Sequence, residues 1–99
     1  MKPHIFLPDA EEDVRLARDY YYDVGGIELY QRFGEELAQV IERIRENPEM
    51  YAKEDFGIRY APLNKFPYAV IYRDPQPLIQ IIAVAQHRRR PHFWQRRLS

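Results

Sequence analysis

Residues 65–86 read KFPYAVIYRDPQPLIQIIAVAQ, two runs of aromatic, β-branched and small apolar residues divided by Asp74-Pro75-Gln76-Pro77. Both runs are short for a buried helix and rich in residues that suit a pleated surface, so each is predicted to be a strand. Proline fixes φ and cannot donate to a ladder, which makes the four residues between them a turn. The second run, LIQIIAVAQ, is apolar at nearly every position, as expected of a central strand covered on both faces. In the first run Pro67 marks the strand entry and holds Phe66 extended. Phe66, Tyr68 and Tyr72 are read as packing residues. Upstream, FGIRYAPL at residues 56–63 has the same composition and adds a further strand, completing an antiparallel meander.

The first half supplies what lies on that sheet. After a short β-type run, HIFLP, the stretch PDAEEDV is predicted to open a helix with Asp9 as cap and Glu12 at the capping-box position. Ala10, Val14, Ala17, Tyr21 and Val24 recur at helical spacing, with Leu16 and Tyr20 beside them and Tyr22 pointing outward. Gly25-Gly26 is expected to end this helix. A second helix runs from about Ile27 to Glu46, where Asn47-Pro48 stops it, and its apolar stripe is Phe33, Leu37, Val40, Ile41 and Ile44. The pattern predicts an α+β fold in one domain, residues 1–99: an N-terminal strand, a helical hairpin and an antiparallel sheet (β-α-α-β-β-β), with the helices on one sheet face. A chain this short has only its C-terminal tail to lay on the other face, which points to a partner protein as additional cover.

The chain has 99 residues, no cysteine and a formal net charge of zero. Disulfide chemistry and Cys-based zinc sites are excluded. No apolar run reaches the roughly 20 residues that span a bilayer, and the opening stretch lacks the apolar segment of a signal peptide, so a cytoplasmic protein without a membrane partner is expected. Residues 1–50 hold 6 basic and 12 acidic side chains while 51–99 hold 9 and 3, so a charge of −6 is followed by one of +6. Either the second half presents a basic surface to an acidic partner, or the two halves neutralise each other across the fold.

Four stretches, YYYDVGG (20–26), ERIRENPEMY (42–51), FGIRYAPLNKFPYAVIYR (56–73) and IIAVAQHRRRPHFW (81–94), resemble the RelE/ParE toxin superfamily of bacterial type II toxin-antitoxin modules, also described as plasmid stabilisation proteins. The resemblance covers essentially the whole chain. It implies a cognate antitoxin as partner, which would bring carboxylates to the arginines, and contact with operator DNA only through that antitoxin. It also implies one of two actions. ParE-like members are associated with inhibition of DNA gyrase, whereas RelE-like members cleave messenger RNA on the ribosome. A degenerate, non-toxic member is a third possibility.

Cleavage through a 2′-hydroxyl needs a base, an acid and cations for the phosphorane charge. The residue types present that fit are His87, Arg59, Arg73 and Arg89, with Arg88 and His92 beside them. The family's usual run is Ala-His-x-Arg-Arg-x-Pro-x-Tyr-Trp. Here Gln86 takes the histidine position, His87 falls one residue later, expected on the opposite strand face, and Phe93 replaces a phenol. Two proton-transfer groups are thus missing or displaced, which favours the ParE-like branch. Arg59, Arg73, Arg88, Arg89, Arg90, Phe93 and Trp94 are the candidate partner-binding residues. His87 and His92 have no Cys, Asp or Glu ligand nearby in sequence, so no metal is expected, nor any cofactor.

Overall fold

A computed structural model of the chain describes residues 2–87 and 89–98. Strand β1 (His4–Phe6) leads into a long helical segment, α1 (Pro8–Glu46), followed by a 3-10 turn at Asp55–Gly57. Strands β2 (Arg59–Pro62), β3 (Tyr68–Arg73) and β4 (Ile79–Gln86) come next, and a second 3-10 segment, Phe93–Leu98, closes the chain. The sheet order is β1-β4-β3-β2. β2, β3 and β4 form the expected antiparallel meander, while β1 lies parallel to β4 at the edge.

Although α1 is assigned as one 39-residue segment, it folds back on itself. A straight helix of that size would be about 58 Å long, whereas the longest dimension of the molecule is 38 Å. The reversal is at Gly26, whose φ of 72° and ψ of −164° lie outside the helical region in territory essentially restricted to glycine. Arms 8–25 and 27–46 then run antiparallel. The Tyr21 ring stacks on Phe33 at 5.3 Å, and the Arg18 guanidinium lies 3.9 Å over Tyr30.

The helix start differs from the sequence expectation. Leu7 is the N-cap, with Pro8 in the first turn, and no side chain caps the helix. Proline suits that position because its fixed φ is already helical and its missing N–H is not needed there. Glu12 pairs instead with Arg15, at 2.5 and 2.8 Å. The buried line of the first arm is Ala10, Asp13, Ala17 and Tyr21, with Val14 partly covered. Leu16, Tyr20 and Val24 are exposed. Val24 lies one turn beyond Tyr21, beside Pro67 and His87 at the rim of the sheet, where no sheet surface remains to cover it.

The first core fills the space between α1 and the sheet. Phe33, Leu37, Val40, Ile41 and Ile44 meet Val70, Tyr72, Ile79, Ile81 and Val84. Near the reversal, Tyr21, Phe33, Phe66 and Tyr68 form an aromatic cluster with centroids 4.8 to 6.0 Å apart, a spacing at which aromatic pairs add to simple area burial. At the other end the Tyr72 hydroxyl donates to the Pro48 carbonyl at 2.7 Å, tying the sheet to the end of the helix.

The opposite face is covered from within, which corrects the expectation that a partner is needed there. Ile58, Ile71, Ile82, Ala83 and Ala85 lie beneath Trp94, with Phe93 and Leu98 at the margin. The indole is 1% exposed and donates Nε1–H to the Tyr60 hydroxyl at 2.7 Å. A β-bulge makes this second core possible. Ile71 pairs with Ala83 but Tyr72 pairs with Ile81, leaving Ile82 as the extra residue. The strict alternation of β4 breaks there, so Ile82 and Ala83 both join the second core while Ile81 and Val84 join the first.

Leu37→Ala should destabilise the protein by about 2 to 5 kcal/mol, because the buried side chain leaves a cavity. Gly26→Ala should cost about 1 to 3 kcal/mol through backbone strain alone, since no atom lies within 4 Å of the added Cβ. Urea unfolding of both variants tests these values. Burial raises the Tyr72 phenol from 10.0 to about 12. The unfolded chain therefore loses this proton first, and stability should fall as pH rises from about 10 towards 12. Alkaline denaturation of Tyr72→Phe should show a shallower decline.

Candidate partner-binding surfaces

The tail is anchored by a carboxylate that sits on the buried line of the first helical arm. Asp13 receives Arg97 in a fork, Nη1 to Oδ2 at 2.7 Å and Nη2 to Oδ1 at 3.2 Å. Both side chains are largely buried. Each also serves the edge of β4: Asp13 Oδ2 accepts the Val84 N–H at 3.1 Å, and Arg97 Nη1 donates to the Ile82 carbonyl at 3.0 Å. β1 is too short to reach these groups. Its pairing with β4 runs to Phe6↔Ile81, followed by the Leu7 N–H to the Ile81 carbonyl at 2.9 Å. The ion pair thus takes up peptide groups that a longer β1 would have paired.

Arg89 belongs to the same cluster. Its guanidinium lies 4.1 Å over the Phe93 ring and 3.9 Å from Asp13, so one of the candidate arginines is already partly neutralised within the chain. His87 follows β4 in a turn instead of standing on the strand; it is exposed, and its N–H donates to the Pro67 carbonyl at 3.0 Å. Gln86 ends the strand with Nε2 donating to the Tyr68 hydroxyl at 3.2 Å. Arg90 and His92 are exposed, and the His92 ring meets Trp94 edge-on at 5.5 Å. Arg88 lies outside the described residues. Trp94, grouped with the partner-binding candidates by sequence, is enclosed by the second core, and Phe93 is half-buried.

Arg59 and Arg73 stand elsewhere. Arg59 begins β2 and donates to the Tyr51 carbonyl, while Arg73 ends β3 and donates Nε–H to Gln80 Oε1 at 2.7 Å. β3 runs from Tyr68, paired with Gln86, to Arg73, paired with Gln80. Along the strand that separation is about 17 Å. The residues grouped by chemical type, His87 and Arg89 with Arg59 and Arg73, therefore occupy opposite ends of the sheet.

A surface that the sequence reading did not single out lies along the first arm. Leu16, Tyr20 and Val24, spaced four residues apart, are all more than half exposed. They border two adjoining cavities of about 410 and 320 Å³, whose other walls include Ala17, Val84, Gln86, Arg89 and Pro67. Together they make an apolar groove between the helix and the part of β4 beyond β1. Its signal was present in the spacing, but a stripe next to the buried line reads as the shoulder of a core until the width of the sheet is known.

The family model described as ParE toxin of type II toxin-antitoxin system, parDE, matches residues 5–91. The chain belongs to the ParE toxin family. A solved structure described as the chromosomal ParDE TA system from P. aeruginosa shares the fold, with a TM-score of 0.76 at 19% identity, covering 87% of this chain and 96% of that one. No curated protein matches. Among the described residues of this ParE-family chain, no group of three or more His, Asp or Glu could hold a metal ion, and no helix is long and apolar enough to cross a membrane.

In this ParE-family member the Asp13–Arg97 pair is expected to be structural. Removing one partner leaves a buried charge, so Asp13→Ala or Arg97→Ala should each cost about 3 to 5 kcal/mol. The double variant should cost clearly less than the two added together. Thermal or urea unfolding of the four proteins in this cycle gives the coupling energy, and a value near zero would assign Arg97 to the surface.

Proposed function

We propose that this ParE-family toxin acts in the cytoplasm by binding a protein target, DNA gyrase being the first to test, and not by cutting RNA. The observation that carries this reading is the separation of the basic groups: His87 and Arg89 stand at one end of β3 and β4, Arg59 and Arg73 at the other. A nuclease needs base, acid and phosphate-binding cations around a single phosphorus. Gln86 and Phe93 at two places where the related family pattern has a histidine and a phenol support the same reading.

A cognate antitoxin is proposed to neutralise the toxin by occupying the groove beside Leu16, Tyr20 and Val24. The tail already covers the second sheet face, whereas Leu16, Tyr20 and Val24 leave a contiguous apolar stripe in the groove that antitoxin side chains can bury. His87 and Arg89 line one side of it and the exposed Arg90 follows in the same loop, which suits a segment with apolar anchors and carboxylates at its margin. Contact with operator DNA, and any part in plasmid stabilisation, would follow from the antitoxin.

Induced expression in bacteria should arrest growth with altered supercoiling of a reporter plasmid and without codon-phased mRNA cuts. Cuts on purified ribosomes that His87→Ala abolishes would replace this reading with the endoribonuclease. Unchanged growth despite tight antitoxin binding would identify a member that has lost toxicity. For the groove, Leu16→Asp and Tyr20→Asp should leave the melting temperature nearly unchanged, because both residues are exposed, yet weaken antitoxin binding at least tenfold, mainly by faster dissociation. Arg90→Ala should instead slow association and flatten its salt dependence. Surface kinetics at two salt concentrations separate the two effects.

A further inference from the structure

At the end of the sheet remote from the tail's basic loop, a groove of about 440 Å³ brings together Lys53, Arg59 and Arg73, with Glu49, Phe56 and Asp74 also in its wall. Lys53 and Arg59 are joined by an isolated β-bridge. Among the described residues none of the three cations has a carboxylate within ion-pair distance, whereas Arg15, Arg32, Arg45, Arg89 and Arg97 all do. Asp74, the acid closest to Arg73 in sequence, is already engaged by Lys2.

The two arginines are held by neutral acceptors. Arg59 Nη1 is fixed by the Tyr51 carbonyl and, at 3.5 Å, by that of Glu49, while Arg73 Nε is fixed by Gln80. Such anchors orient a guanidinium without neutralising it, and they leave other N–H groups free for a carboxylate. Beside them stands Phe56, 59% exposed at a φ of 63°, a backbone region unfavourable for a bulky residue. The tight loop around it is closed by Glu54 N–H to the Ile58 carbonyl at 2.7 Å and Gly57 N–H to the Glu54 carbonyl at 3.2 Å, and the ring meets Trp94 edge-on at 6.1 Å, which leaves its other side open at the rim. Left-handed, non-glycine residues of this kind cluster where chains bind ligands.

We propose that this groove receives a short acidic segment of a partner protein, with two carboxylates on Arg59 and Arg73 and an apolar side chain against Phe56. A nucleic-acid strand fits less well. The chain has no net charge, Glu49 lines the groove, and Glu54 and Asp55 precede Phe56 in the loop, so phosphates running beyond the groove would meet carboxylates. The site is separate from the groove along the first arm and does not depend on what occupies that one.

The test uses the purified toxin and a fluorescent decapeptide in which glutamate and aspartate flank a central leucine, read by anisotropy at low salt. The wild type should bind it saturably, with affinity falling at least tenfold in Arg73→Gln and in Lys53→Gln/Arg59→Gln. Arg73→Lys should recover part of the loss, and Phe56→Asn, which tolerates the left-handed backbone, should weaken binding about threefold. Leu16→Asp should bind like the wild type. Melting curves of every variant separate lost binding from lost folding. No saturable binding by the wild type, equal binding by folded Gln variants, or tighter binding of a single-stranded RNA decamer would overturn the proposal.

Discussion

Asp13 stands where three parts of the molecule meet, and their arrangement depends on it. The first helical arm carries the carboxylate inward on the line of Ala10, Ala17 and Tyr21. There it meets the edge of β4 just beyond the reach of β1 and the guanidinium of Arg97 from the tail. A buried carboxylate is costly unless it is paired and its remaining lone pairs are filled. Here the fork to Arg97 supplies the counter-charge, and the Val84 amide adds a hydrogen bond. Arg97 in turn satisfies the Ile82 carbonyl at the bulge. Two side chains thereby do at this edge what another stretch of strand would do, and they position the tail so that Trp94 closes the second core.

Much of the architecture was legible because it follows from periodicity and turn chemistry. The strands around Asp74-Pro75-Gln76-Pro77, the second helical stripe, the first stripe as far as Tyr21 and the stop at Asn47-Pro48 are local signals that appear in the fold, whereas Val24 lies exposed beyond the sheet. The helix start was misread because a capping-box pattern and an N-terminal proline compete within two residues, and the proline won. The role of Asp13 was not legible for a different reason. Its spacing from Ala10 and Ala17 places it on the inner stripe, but a single carboxylate gives no sign of a counter-charge 84 residues away. The bulge at Ile82 was hidden too, since the run at residues 81–85 is apolar throughout and carries no alternation for a register shift to interrupt.

The same fold separates the charges that composition had grouped. The −6 and +6 halves do neutralise each other in part, through Arg97 and Arg89 on Asp13 and through Arg97 near Asp9 at 3.7 Å. Arg59 and Arg73 are directed by the sheet to its other end, where they keep neutral partners. A basic tail in the sequence thus becomes, in space, an internal lock, a partly screened arginine over Phe93 and an outward Arg90. A second cationic group forms from residues that are not in the tail.

This division constrains how the tail can take part in recognition. A partner that gripped Trp94 would first have to break its bond to Tyr60 and lift the indole from Ile58, Ile71 and Ile82, exposing the centre of a sheet face that Leu7, Phe93 and Leu98 cover only at its margin. A partner that used Arg90, His87 and His92 would meet groups already at the surface and leave the second core intact. Interfaces gain most where the contacting groups are already held in place. On the proposed mode of recognition the aromatic residues of the tail would act indirectly, by holding the loop that carries those polar groups, and a substitution at Trp94 would have loss of stability as its first effect.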